Sequence, residues 1–455
     1  MKTRILVAAL AAITLAAVLA VTQSEGILHL SPVTLAGVRW IAVAALAAYA
    51  LARRTLTAWI LVAMAAGAEI GVDAPAFAVH LKLLVEIFLR LIKVIIAPLL
   101  FSTLVAGIAG HADLRSVGRM GVKALVYFEV VTTFALLVGL AAINLSRAGV
   151  GVKLPPQNPT ATARQLSVAR ATPGEIILHA FPENIAKSVA DNEVLEVVVF
   201  SILFGIALTM LSEAKRRPML AFAESLAEVM FKFTNIVMLF APIGAGAAIA
   251  YTVGTTGLGV LVNLFKLLAT LYVALAAFVL LVLLPIALIA RVPLRRFLRA
   301  VGEPVSIAFA TASSEAALPR AMEEMERMGV PRAVVAFVMP TGYSFNLDGS
   351  ALYLSLASVF VAQVAGIHLS LGRQFLMVFI LMLTSKGVAG VARAALVVLL
   401  ATAGSLGLPA EPILLLLGID QLMDMARTSV NVLGNCLATA VIARWEGKAI
   451  TNDEL

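Results

Sequence analysis

Three stretches without a single charged side chain, residues 197–212, 233–265 and 267–290, set the scale of the hydrophobic pattern. Each approaches or exceeds the roughly 20 residues that carry a helix across about 30 Å of hydrocarbon. Apolar residues run on continuously instead of alternating with polar ones, which argues against the strands of a membrane β-barrel. The same pattern predicts helical crossings at 56–72, 80–109, 119–146, 194–212, 220–253 and 258–290. An N-terminal helical hairpin, residues 5–21 and 38–51, precedes them. Residues 5–21, led by Lys2 and Arg4, also fit a cleaved signal peptide, but the second apolar stretch ends at Arg53 and Arg54, and an uncleaved hairpin satisfies the charge bias better. Residues 150–192, with Pro155, Pro156, Pro159 and Pro173, form a polar external excursion.

After Arg299 the pattern changes. The apolar segments are interrupted by small and polar clusters at 311–315, 341–350, 384–390 and 420–435. Interrupted membrane segments free backbone groups, which are tolerated where they line a cavity or hold a solute or ion, so the function is expected in the C-terminal third. In the last segment Asp420, Asp424, Arg427, Thr428, Asn431 and Asn435 stand at offsets 0, 4, 7, 8, 11 and 15. At roughly 100° per residue they fall within an arc of about 100°, a single polar stripe. Each of its three charges costs about 2.5 to 3.5 kcal/mol at the membrane centre, so the stripe faces protein or a wet cavity. The chemistry suits an amino acid with an extra acid group. Arg427 can clamp a carboxylate, Asp424 can pair with an ammonium, and Thr428 and Asn431 can hydrogen-bond the remaining carboxylate. The plainer alternative is a self-neutralising Asp–Arg network that only joins helices.

Three further clusters carry candidate chemistry. In residues 340–350, Pro340, Gly342 and Gly349 are expected to break helical pairing and free carbonyls that, with Asn346 and Asp348, suit a desolvated cation; a simple proline kink would leave Asp348 unexplained. Residues 312–319 and 384–393 are too polar to cross fully and read as re-entrant hairpins whose tips offer backbone groups to a solute.

Composition agrees with a lipid environment: 61% of residues are hydrophobic and 13% charged, which a water-exposed globule of 455 residues does not tolerate. The net charge of +8 comes from clusters between apolar segments, at Lys2 and Arg4, Arg53 and Arg54, and residues 115–123, 215–217 and 291–299. That is the positive-inside pattern; it places the N-terminus in the cytoplasm and makes a nucleic-acid partner unnecessary. Cys436 is the only cysteine, so no internal disulfide forms, and the five histidines show no metal-ligand spacing. An enzyme is not expected: Ser313 has no convincing base in the sequence, although Lys386 could approach it.

Four ordered motifs make the chain recognisable: S-S-E-x-x-L-P at 313–319, P-T-G-Y-S-F-N-L-D-G-S at 340–350, S-K-G-x-A-G-V at 385–391 and D-M-A-R-T-x-x-N-V-x-G-N at 424–435. Together they resemble the dicarboxylate/amino acid:cation symporters, the glutamate transporter family, over about residues 56–448. The resemblance implies an all-α membrane protein with eight transmembrane helices and two re-entrant hairpins, here with the extra N-terminal hairpin at 1–54. It implies a homotrimer in a bacterial inner membrane, importing an acidic amino acid by elevator-like movement. Scaffold helices would lie in 55–118 and 150–257, the transport domain in 119–149 and 258–448, and a cytoplasmic tail at 449–455.

Carried over by position, the resemblance gives Arg427 and Ser350 the side-chain carboxylate, Asp424 the amino group, and Thr428 and Asn431 the main-chain carboxylate. Ser313 and Ser314 would form the first hairpin tip. Asn346 and Asp348 would hold the coupling cation, sodium being one option, with carbonyls near Tyr343, Ser385 and Asn431 and with Asp420, Asn435 and Thr132 in coupling roles. The coupling ion is then H+ or Na+ or both, and no cofactor is expected. Family members for succinate-like acids tend to lack the acid matching Asp424, so its presence favours glutamate or aspartate over a C4-dicarboxylate. An anion channel or solute sensor on the same scaffold is the alternative of another class.

Several departures bear on coupling and gating. Asn435 stands where sodium-coupled relatives carry an aspartate, and Val131 replaces a hydroxyl residue, leaving Thr132 and Thr133; both features resemble the proton-coupled bacterial branch. Glu129, inside a membrane segment, becomes a candidate proton carrier because desolvation favours a neutral carboxyl, with a purely structural role as the alternative. The second hairpin tip reads Gly390-Val391-Ala392-Arg393 where the family has Gly-Val-Pro-Gly. Ala312 and Met425 occupy positions where many relatives have an arginine, and Arg393 is the candidate to supply the missing guanidinium.

Overall fold

The computed structural model describes residues 11–16, 18–19, 22–23, 31–110, 114–152, 178, 181–191, 194–384, 394–405, 408–409 and 411–447. All regular structure among them is helical. Helix α1 (Pro32–Arg53) starts at Ser31, whose hydroxyl accepts from Thr34 N, and at Pro32, pre-set for a first turn. Arg54 ends it in the left-handed region, φ 54°, and Thr55 immediately caps α2 (Leu56–Asp73) by accepting from Ala58 N. The chain thus reverses within two residues, and α1 and α2 pack antiparallel.

Next come α3 (Pro75–His80), α4 (Lys82–Ala109), α5 (Leu114–Ser146), α6 (Ile185–Asp191) and α7 (Val194–Thr209). The expected single crossing at 220–253 is instead two helices, α8 (Glu213–Met238) and α9 (Ala241–Thr256), bent by 49°. Pro242 explains the break: it has no N–H for the Met238 carbonyl and its ring crowds that carbonyl, so one helix stops and the next begins. Helix α10 (Gly259–Phe278) continues through a π-helical turn, Val279–Leu283, into α11 (Leu284–Ile289).

The segment read as the first hairpin holds two helices, α12 (Leu294–Thr311) and α13 (Ser314–Arg327), that reverse at Ala312 with φ 51°. In the 340–350 region the break is not at Pro340 or Gly342, which lie inside α14 (Arg332–Phe345). It falls at Asn346 and Leu347, before α15 (Asp348–Val364). The proline is absorbed by a turn that Thr341 reinforces, its hydroxyl donating to Phe337 O at 2.7 Å. Helices α16 (Leu371–Thr384) and α17 (Ala394–Ser405) flank residues 385–393, so the second hairpin tip, with Ser385 and Arg393, lies outside the described residues. The final segment, expected to be interrupted at 420–435, is one continuous helix, α18 (Glu411–Trp445). Its polar residues pair through side chains, so the backbone has no reason to open.

Among the described residues, five helical spans can cross a membrane by length and composition, Pro32–Arg53, Leu56–Asp73, Met120–Ser146, Gly259–Ile289 and Arg332–Val364, or six with the bent α8–α9 pair. Helix α18 is the hub: α5, α9, α10, α12, α13, α14, α15 and α17 all pack on it. Helix α15 is buried along nearly its whole length, between α5 and α18. On the far side α2 packs on α9, and α4 on α7 and α8.

Candidate functional site

The polar stripe of α18 faces inward. Asp420 and Arg427 are fully buried, and Asp424, Thr428, Asn431 and Asn435 nearly so. Arg427 sits between the two acids, its Nε donating to Asp424 Oδ1 at 2.9 Å and its Nη1 to Asp420 Oδ1 at 3.0 Å. Thr428 Oγ1 donates to the same Asp424 oxygen at 3.1 Å. The guanidinium lies over the ring of Tyr353, 4.3 Å from its centroid. Arg427 Nη2 is buried and makes no hydrogen bond. Two carboxylates around one guanidinium leave one formal negative charge, and a buried donor remains beside it.

Helix α15 supplies the opposite wall. Ser350 N donates to Asn431 Oδ1 at 3.1 Å while Asn431 Nδ2 donates back to Ser350 Oγ at 3.0 Å. This reciprocal pair pins the first turn of α15 to the stripe. Gly349 makes the approach possible: a Cβ there would run into the Arg427 carbonyl.

A turn further along α18 lies the candidate ion site. Asp348 and Asn346 are fully buried at the α14–α15 break. Thr132 Oγ1 on α5 reaches Asp348 Oδ1 at 3.5 Å, and Asn346 Nδ2 donates to Asn435 Oδ1 at 3.3 Å. Asn346 Oδ1 and Asn435 Nδ2 are buried without hydrogen-bond partners. The oxygens of Asp348, Asn346 and Thr132 suit a small hard cation, whereas Asn435 Nδ2 is an N–H donor turned toward the same space. Among the described residues no three His, Cys, Asp or Glu side chains gather as a metal cluster.

The remaining predicted residues fall less centrally. Ser313 Oγ is occupied capping α13, accepting from Ala316 N at 3.3 Å, while Ser314 is buried. Both hairpin helices pack on α18, but neither serine is hydrogen-bonded to the stripe among the described residues. Tyr343 is buried with its hydroxyl unbonded. Glu129 is half-buried. It shares a face of α5 with Thr133, whose hydroxyl reaches Met382 Sδ on α16 at 3.4 Å; Thr132, on the buried side, is the residue that meets Asp348.

Tyr353 was missed by sequence reasoning. Its signal was available: three residues after Ser350 on a helix, it must share that residue's face.

The pattern of the sodium:dicarboxylate symporter family matches residues 56–445, a span that holds every one of these side chains. The chain belongs to that family. Bacterial relatives match most of the chain. It is 41% identical over 399 residues to a proton/sodium-glutamate symport protein of Bacillus subtilis strain 168, covering 86% of this chain and 93% of the relative. It is 42% identical over 399 residues to a C4-dicarboxylate transport protein of Solibacter usitatus, covering 87% and 93%. It is 43% identical over 369 residues to a proton/glutamate-aspartate symporter of Escherichia coli K12, covering 80% and 84%. The family match begins at the start of α2, so α1 lies outside the matched residues.

Proposed function

We propose that this symporter imports an acidic amino acid, glutamate or aspartate, together with cations, protons foremost. The observation that carries the reading is the buried Asp420–Arg427–Asp424 cluster. Its residual negative charge favours a solute that brings a cationic group as well as carboxylates. A free amino group supplies that group opposite Asp424, and Arg427, with Nη2 in reserve, takes the side-chain carboxylate alongside Ser350. Thr428 and Asn431 take the main-chain carboxylate, and the serines of the first hairpin tip, Ser313 and Ser314, close over it. A C4-dicarboxylate has no group for Asp424, although several relatives at 41 to 42% identity carry that substrate class in their names.

The coupling cation belongs at Asn346 and Asp348, with Thr132, Asn435, Tyr343 and Ser385 around them and Asp420 and Glu129 linked to proton movement. The amide of Asn435 in place of an acid lowers the site's charge and favours protons over sodium. At the level of the whole chain we propose eight crossings and two hairpins, a homotrimer in a bacterial inner membrane with the N-terminus in the cytoplasm, and a transport domain of 119–149 and 258–448 that moves against the rest. Arg393 at the second hairpin is proposed to add a guanidinium near the substrate.

Uptake of radiolabelled glutamate, aspartate and succinate into proteoliposomes under separate proton and sodium gradients tests this. An inward proton gradient is expected to drive concentrative uptake of the amino acids. Asp424→Asn is expected to weaken amino-acid uptake by roughly 100-fold, the equivalent of about 3 kcal/mol for a charge-assisted contact, while sparing succinate. Preferred succinate uptake that is indifferent to Asp424→Asn would establish the dicarboxylate reading, and uptake that never exceeds equilibrium would establish a channel. Arg393→Ala is expected to reduce amino-acid affinity in the same assay; unchanged affinity removes Arg393 from the site.

A further inference from the structure

Helix α1 is held to α2 by charges that neither helix accommodates alone. Within α1 the charged residues are Arg39 and Arg53; within α2 they are Glu69 and Asp73, one turn apart on one face. Arg39 Nε meets Glu69 Oε2 at 2.6 Å and its Nη2 meets Asp73 Oδ1 at 2.5 Å. The neighbouring Trp40 Nε1 donates to the other Asp73 oxygen at 2.9 Å. These side chains are only 18 to 29% exposed, and both helices are apolar enough to cross a membrane.

Each charge is badly placed for its own helix. Glu69 and Asp73 lie in the last turns of α2, at the negative end of its dipole, and Arg39 lies toward the positive end of α1. The antiparallel pairing reverses this, setting the cation against the C-terminal end of α2 and the acids against the N-terminal end of α1. At the other end the contact is apolar, with Ala50 of α1 against Ala58 and Val62 of α2 and with Leu46, Ala47 and Tyr49 around them. Charge therefore fixes the partner and its direction, while small residues allow close approach.

We infer that the acidic face of α2 is a docking site for α1, and that Glu69 and Asp73 make the family region of this chain depend on its own N-terminal helix to insert and stay folded. Without α1 two carboxylates at the C-terminal end of α2, one turn apart and against the helix dipole, would lose their cationic partner. The inference stands apart from the choice of substrate.

The test uses the full-length chain in three forms, Arg39→Gln, Glu69→Gln/Asp73→Asn, and the triple variant that removes all three charges. Folded yield is read as the monodisperse fraction on size exclusion in mild detergent, together with the thermal midpoint and glutamate uptake per folded molecule. Arg39→Gln is expected to lower yield several-fold and the midpoint by several degrees. The double variant falls too, and the triple variant recovers most of the loss. Substrate affinity of the folded fraction is expected to be unchanged. The inference is overturned if the single and double variants match the parent, if the triple variant is no better than Arg39→Gln, or if affinity shifts along with yield.

Discussion

Arg427 illustrates how a single buried side chain constrains the site. Its guanidinium is planar and forked, which lets it bond Asp424 and Asp420 on two edges while its face rests on Tyr353. A lysine offers a point charge and could not satisfy all three. At the far end of the same stripe, the coupling role proposed for Asn435 rests on charge rather than shape. An amide there leaves Asp348 as the carboxyl group of the candidate ion site, bonded by Thr132. Asn435→Asp adds an oxygen-rich anionic ligand at nearly the same volume and is therefore expected to confer or strengthen sodium dependence. Uptake at fixed pH with sodium varied against choline measures it, and a flat response would place the coupling ion elsewhere.

At the scale of elements, the meeting of α15 with α18 decides whether a site exists. The break at Asn346 and Leu347 lets α15 begin beside the stripe, where Ser350 and Asn431 exchange hydrogen bonds in both directions. That contact depends on Gly349, which lies against the Arg427 carbonyl. Gly349→Ala forces α15 outward, and overpacking of this kind costs about 1 to 3 kcal/mol. Loss of most uptake together with a lowered thermal midpoint is the expected outcome, whereas Gly366→Ala, at an open turn beyond the end of α15, serves as a control for uptake only. The same elements show why a local reading of breaks has limits. Pro340 and Gly342 carry the strongest breaking signals, yet α14 runs through them, because a transmembrane helix can absorb a proline when a nearby hydroxyl and its packed neighbours support the turn. Pro242 carries a similar signal and does break its helix.

Over the whole molecule, α18 and the helices around it form one polar-cored body, and the α1–α2–α9 layer packs along another side. The docking of α1 through Arg39 belongs to this scale, since its predicted effect is on insertion and folding and leaves the chemistry of the site alone. Sequence by itself determined the membrane character, the α-helical class, the polar stripe and a helix boundary near Ser313. These follow from local quantities: the length of apolar runs, the 100° step of a helix and the cost of burying charge. The tertiary structure decided that the stripe stays on an unbroken helix, that the neighbouring segment breaks at Asn346 and Leu347, that Tyr353 lies beneath Arg427, and that Arg39 answers Glu69 and Asp73. Apart from the stripe, where Arg427 pairs with Asp420 and Asp424 on its own helix, each of these depends on which partner a buried group finds across a helix–helix contact. Pairings of that kind join residues tens of positions apart, and no local period records them.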